Sequence, residues 1–172
     1  MARRRTQPRF DPYAIRSALD EERAIYVLIG AFARVLEGSD EITLGVDLTP
    51  STRPENLRRL ELALARINAR RTDGRAPELE RTDFDSEPVV ELTTDAGEVK
   101  VIPFPKGTRG YDDLRRAAVR EPIGRGLRPS VASMGDLARM LGATGRDEDI
   151  PKLLMMRRLM DIDRSRGLSI ER

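Results

Sequence analysis

The residues best placed to do chemistry are acids and bases on two apolar segments. Residues 42–48 read ITLGVDL, and in an extended strand Ile42, Leu44, Val46 and Leu48 face one side while Thr43, Gly45 and Asp47 face the other. Two carboxylates spaced i, i+2 on such a strand converge on a divalent cation, but here the first position is Gly45 and only Asp47 carries a charge. A second segment, residues 98–104, places Glu98, Lys100 and Ile102 on one face. Basic side chains gather near two glycine-punctuated loops, 106–114 and 124–133. There Lys106, Arg109, Arg115, Arg116, Arg120, Arg125 and Arg128 are expected to give one side of a cleft a phosphate-binding character.

The chain has no histidine and no cysteine. That excludes disulfides, thiol nucleophiles and cysteine-ligated zinc, and it removes the usual general base. Any metal site must therefore use oxygen ligands, which favours magnesium or manganese. The 31 basic and 29 acidic residues leave a net charge of +2, so the pI of 9.3 is a weak argument for nucleic-acid binding. Arginine supplies 28 of the 31, with lysine only at 100, 106 and 152, a bias that fits GC-rich coding as well as phosphate recognition.

At 172 residues, with 39% hydrophobic, 35% charged and 4% aromatic residues, the composition is that of one globular domain with a core of Leu, Ile, Val, Ala and Met. No apolar run approaches the roughly 18 residues that span a bilayer, and MARRRTQPRF lacks the apolar segment of a signal peptide. A cytoplasmic protein without membrane association is expected.

The elements that must position these groups follow from local signals. Residues 1–10 read as a basic, flexible arm, and 11–172 as a single domain with its sheet within about 11–132 and a helical part at about 133–166. Asp11-Pro12 opens a helix to about Arg23. Ile25–Ile29 is a strand that stops at Gly30, and residues 31–38 form a short helix before the ITLGVDL strand. Pro54 to Arg71 is a helix with Leu57, Leu60, Leu64 and Ile67 on one face. Residues 72–88 are polar and irregular. Residues 89–94 and 98–104 form a hairpin with Gly97 at a positive-φ position. A helix is expected near Asp112–Arg120, a short strand before Ser133, and a helix opened by Ser133 and Asp136 in a capping box and running to about Thr144. Asp149 and Pro151 start a last helix, whose Met155, Met156 and Met160 are expected in the core or on a partner face.

The string from Tyr26 to Leu48, YVLIGAFARVLEGSDEITLGVDL, resembles the signature of the DNA polymerase β-like nucleotidyltransferase superfamily. Ile29 and Gly30 match its opening, Ala31 stands at the second small residue, and Gly45-Val46-Asp47-Leu48 closes it without the first acid. More narrowly, the chain is similar to the abortive-infection, AbiEii-like, nucleotidyltransferase toxins. That likeness includes Pro54-Glu55-Asn56-Leu57, Gly110-Tyr111-Asp112-Asp113-Leu114, Val131-Ala132-Ser133, and Gly145-Arg146 with Asp149.

The resemblance implies an α/β (α+β) minimal nucleotidyltransferase-like fold, with a mixed β-sheet flanked by helices. It implies nucleotidyl transfer through two magnesium ions and a nucleoside triphosphate, with Asp47 as catalytic and metal-binding residue. Gly45 and Lys100 fall at the other two acid positions. Gly30, Ala31, Ser39, Lys106, Arg109 and Arg146 fall at positions expected to bind nucleotide or phosphate. Leu141 and Glu41 stand where relatives carry a lysine and an arginine. A site with one carboxylate and a lysine cannot neutralise two divalent ions. Altered or lost catalysis, with a nucleotide, nucleic acid or protein partner such as a cognate antitoxin, is the expected function, and an active toxin modifying RNA or protein is the alternative. An interaction subunit using the final helix is a third. Lys100, on the strand facing Asp47, is expected to pair with it in place of a metal. Glu98, Glu37, Asp40 and Glu41 are the acids available for a relocated one-metal site.

Overall fold

The computed structural model describes residues 9–170. Residues 1–8 of the expected arm lie outside them. Phe10 is not part of a free arm, because its ring packs edge-on against Phe32 with centroids 5.4 Å apart. Asp11 N–H then donates to the Ala96 carbonyl at 2.8 Å, and the Asp11 carboxylate caps Ala14 N–H at 3.0 Å, opening helix α1 (Pro12–Glu21).

Strand β1 (Tyr26–Ile29) follows, then helix α2 (Gly30–Leu36), strand β2 (Gly45–Pro50) and helix α3 (Pro54–Arg66). A two-residue strand β3 (Arg70–Arg71) leads through a 3-10 turn at Leu79–Arg81 to the hairpin β4 (Val90–Thr94) and β5 (Gly97–Val101). The single-turn helix α4 (Tyr111–Leu114), short strands β6 (Val119–Arg120) and β7 (Ser130–Val131), helix α5 (Met134–Thr144), a 3-10 turn at Asp147–Asp149 and helix α6 (Ile150–Ile170) complete the described chain.

The seven strands form one mixed sheet in the order β3-β4-β5-β2-β1-β7-β6. β2 pairs antiparallel with β1 and parallel with β5, and β1 pairs parallel with β7. All four residues of β1 are buried, so both faces of the sheet are covered there. Helices α1 and α3 pack on each other, as do α2 with α5 and α5 with α6. The core is aliphatic: Leu60, Leu64, Val27, Leu48, Val90, Val99, Val101, Leu137 and Met156 are all essentially without exposure. An α+β class with a helical C-terminal part is the expected architecture.

Four local expectations change. The ITLGVDL strand begins at Gly45, not Ile42: Ile42 is 92% exposed and Leu44 57%, so the alternation reports burial only from Val46 onward. Helix α3 ends at Arg66, because Asn68 adopts φ +53 and the chain turns out to the sheet edge as β3. The helix expected at 112–120 stops at Leu114, and residues 119–120 pair with β7 instead. Residues 72–88 form a tethered loop. Leu79 is fully buried, and the Arg71 guanidinium donates to Pro77 carbonyl at 2.9 Å and Thr82 Oγ1 at 2.8 Å and pairs with Glu87.

Asn56 joins the elements that carry the sheet centre. Its side-chain oxygen accepts from Ile25 N–H at 2.7 Å, while its amide donates to the Ile25 and Ser51 carbonyls, each at 2.8 Å. The first turn of α3 thereby clamps the start of β1 to the end of β2. Truncation strands three backbone groups in a site where Asn56 is 3% exposed. Asn56→Ala is therefore expected to lower stability by about 3 kcal/mol in urea unfolding.

Candidate functional site

Asp47 sits at the middle of the sheet, with Ile29 of β1 as its register partner on one side and Lys100 of β5 on the other. Gly30, directly after Ile29, begins α2 at φ +72 and lies so close that a Cβ there would stand 2.9 Å from Asp47 Cγ. Glycine at 30 thus serves two needs, a left-handed backbone and room for the carboxylate.

Gly45, where the sequence resemblance expects an acid, is the direct register partner of Glu98. A Cβ at Gly45 would lie 2.6 Å from the Glu98 carbonyl carbon and 2.8 Å from Glu98 Cβ. The obstacle is mainly backbone, so no side chain fits without parting β2 from β5. Lys100, at the third acid position, is 3.7 Å from Glu91 Oε1 across the hairpin. The expected Asp47–Lys100 ion pair is not made: among the described residues Lys100 pairs with Glu91 and acts on Asp47 only at longer range.

Burial pushes the Asp47 carboxyl above its usual range; the charges of Lys100 and Arg34 oppose that push, and Glu98 and Glu91 reinforce it. Arg34, 8% exposed, is committed elsewhere, with Nε and Nη2 donating to the two Glu41 oxygens at 2.7 and 2.8 Å. Ser39 Oγ donates to the same carboxylate at 2.9 Å. Burial raises the Glu41 carboxyl, but the hydrogen bonds from Arg34 and Ser39 outweigh it and hold the group below its ordinary value. Lys152 bridges from Glu41, at 4.0 Å, to Asp149, at 3.2 Å.

Asp149 anchors the far end of this network. It is 2% exposed and accepts from Thr144 Oγ1 and Arg146 Nε, each at 2.7 Å. Burial raises its pKa, yet the bonds from Thr144, Arg146 and Lys152 prevail and lower it to about 2.

These groups surround one cleft of about 550 Å³. Gly30, Arg34, Asp47, Glu91, Lys100, Lys106, Arg146 and Asp149 supply its polar lining, while Ile102, Phe104, Leu137, Met140 and Leu141 supply an apolar wall. Of the residues singled out in the sequence, Asp47, Gly30, Lys100, Lys106 and Arg146 are brought together here. Ala31 and Ser39 do not line the cleft; Ser39 acts on it through Glu41.

Arg109 lies in a separate depression of about 410 Å³ with Arg116, Arg139, Asp112 and Asp113. The remaining arginines do not form one side of the cleft. Arg115 pairs with Asp112 at 3.1 Å, Arg120 donates to the Arg128 carbonyl at 3.3 Å, and Arg125 stacks over Tyr13 at 4.1 Å. The physical reason is the early end of α4, after which the chain crosses to the opposite sheet edge.

Cleft residues missed from the sequence are Arg34, Glu91, Phe104, Met140 and Thr144 in its lining, while Asp149, singled out there beside Gly145-Arg146, proves to brace Arg146. Arg34 carried a signal: an arginine four residues after Gly30, inside the apolar run AFARVL, had to find a buried partner. Among the described residues no three acids gather as a metal site. Glu41 is taken by Arg34, and Glu37 lies with Glu121 and Asp163 in a different recess, where burial first and Glu121 second push it up to about 7. No helix among the described residues is long and apolar enough to cross a membrane.

No family model matches the chain. No curated protein matches it either. Among solved structures it is similar to a Thermotoga maritima protein described as a "putative nucleotidyltransferase", with 16% identity over 92% of this chain and 89% of that one and a TM-score of 0.46. A likeness of that degree carries no argument about function.

Two outcomes follow from the geometry. Gly45→Ala is expected to cost about 2–3 kcal/mol in thermal or urea unfolding, since its methyl group must displace the β5 backbone. Asp149, whose folded pKa lies below the ordinary 3.8, contributes stability that is complete above that value and is lost as pH falls towards about 2. Melting temperature should therefore drop through that window, and the drop should be flatter in Asp149→Asn.

Proposed function

We propose that this chain is a nucleotidyltransferase-like protein of the toxin–antitoxin or abortive-infection type that has lost metal-dependent transfer and uses its cleft to bind a nucleoside triphosphate directly. The assignment to that type rests on the sequence resemblance from Tyr26 to Leu48 and beyond. The loss of transfer rests on one observation above all: a Cβ at Gly45 would collide with the Glu98 carbonyl, so the site has no space for the acid that would complete a metal pair. Asp47 alone, with Lys100 opposite in register, does not fit two divalent cations.

What the cleft offers an anionic ligand is cationic side chains on a preformed frame. Lys106 is exposed and has no ion pair among the described residues, which leaves its ammonium available for a phosphate. The loop that carries it is pressed onto α5, since a Cβ at Gly107 would stand 2.8 Å from Ala143 Cβ. Arg146, half-exposed and braced by Asp149, offers its guanidinium from just beyond the same C-terminal end of α5. Asp47 repels the ligand in this reading.

One observation favours the competing reading, an active magnesium-dependent enzyme: Asp47 is kept as a desolvated carboxylate that no ion pair explains. Calorimetric titration of ATP, CTP, GTP and UTP, with and without magnesium, separates the two. In the metal-free reading binding is indifferent to magnesium, falls about tenfold in Lys106→Ala, and is unchanged or tighter in Asp47→Asn. Magnesium-dependent binding that disappears in Asp47→Asn overturns it in favour of the enzyme.

A further inference from the structure

Phe104 follows β5 in the sequence Pro103-Phe104-Pro105, and both prolines are buried while the phenylalanine is 53% exposed. An aromatic ring placed in solvent between two buried, φ-locked residues is not a side chain that failed to reach the core. Its backbone is fixed, and its Cδ1–Cε1 edge is braced from outside the hairpin. Gly110, at φ +84, lies so near that a Cβ there would meet Phe104 Cδ1 at 2.9 Å and Cε1 at 3.2 Å.

Phe104 also belongs to the lining of the cleft, with Leu137, Met140 and Leu141 of α5 completing an apolar wall. Lys106 stands two residues further on, and Lys100 four residues back. A flat apolar surface beside ammonium groups matches a ligand with a flat aromatic part and an anionic part, which is the chemistry of a nucleotide.

We propose that Phe104 is the stacking surface for the base of the bound nucleotide and is the chief source of the preference for a nucleotide over a bare polyphosphate. This rests on the nucleotide-binding reading of the cleft. Because Pro103 and Pro105 restrict the backbone and Gly110 lies against one edge of the ring, little conformational freedom is lost when a base settles on it. Stacking on a phenyl ring is available to every base, since each has a π-face, and the larger purine ring covers more of it. The cleft should therefore favour ATP and GTP over CTP and UTP by ring size, with the apolar wall rather than any base-edge hydrogen bond as the cause.

The chain has no tryptophan, so Phe104→Trp introduces a single reporter. The experiment titrates the wild-type full chain, Phe104→Ala and Phe104→Trp with ATP, CTP and inorganic tripolyphosphate, by calorimetry and, for Phe104→Trp, by fluorescence, after circular dichroism has confirmed the fold of each. Expected is wild-type affinity for ATP roughly tenfold above that for tripolyphosphate. That margin should vanish in Phe104→Ala and return in Phe104→Trp, with tryptophan quenching by ATP but not by tripolyphosphate. Equal affinity for ATP and tripolyphosphate in the wild type, or a margin that survives Phe104→Ala, overturns the stacking role while leaving the anion-binding cleft in place. Failure of all three ligands to bind overturns the cleft reading itself, and the stacking role with it.

Discussion

The parallel pairing of β2 with β5 is the constraint on which the remainder of the site depends. Its register places Gly45 against Glu98 and Asp47 opposite Lys100. The two backbones meet so closely at Gly45 that the position can hold only hydrogen. The pairing continues past the strand ends, where Ile102 N–H donates to the Leu48 carbonyl at 2.8 Å and Thr49 Oγ1 to the Ile102 carbonyl at 3.0 Å. Those bonds bring the segment after β5 alongside β2, and with it Phe104 and Lys106 into the cleft. A slip of one residue would turn Asp47 and Lys100 to the other face, into a core built from Val46, Leu48, Val99 and Val101. The apolar residues that fix the register therefore also fix which charges meet.

The charges that line the cleft are organised largely as neutral sets. Arg34 is matched by Glu41, Lys100 by Glu91, and Arg146 by Asp149, while Lys152 spans Glu41 and Asp149. These pairs differ in kind. Arg34 with Glu41 is bidentate and sheltered, and removing either member would strand a buried charge. Lys100 with Glu91 is a partly exposed contact at 3.7 Å, of the sort that contributes little to stability and can open when a ligand offers a better partner. A frame of committed pairs around a loosely held lysine and an uncommitted one is suited to gripping an anion without moving the backbone.

What could be read from the sequence was what is decided within a few residues. Asp11-Pro12, Ser133 with Asp136, and the hairpin turn at Gly97 are local devices, and each element starts or turns where those residues stand. The alternation in ITLGVDL was legible too, but it could not say where the strand enters the sheet, because Ile42 and Leu44 keep the pattern without the burial. Candidate site residues were legible to the extent that they sit on strands of known register, which brought Asp47, Lys100 and Gly30 together. Arg34 and Glu41 are seven residues apart and meet only because α2 and the turn after it fold back on each other. The scatter of Arg115, Arg120 and Arg125 reflects the one-turn length of α4, after which residues 119–120 leave helical conformation to pair with β7.

Asp47 remains the group that stability does not account for. Burial pushes its carboxyl above the ordinary range, so the folded chain bears a cost of desolvation whenever that group is charged. Lys100 and Arg34 offset part of it at longer range, but neither pairs with Asp47, since Arg34 is engaged by Glu41 and Lys100 by Glu91. Gly30 makes room for the carboxylate but offers it no charge. A neutral side chain of the same size would sit in the space with less strain on the fold. A charge that the fold tolerates at its own expense, at the centre of the sheet and in the wall of the cleft, acts on whatever enters there. In the proposed reading, with a triphosphate held by Lys106 and Arg146, that action would keep the phosphates away from the sheet and towards the rim, leaving the base nearest the Phe104 wall.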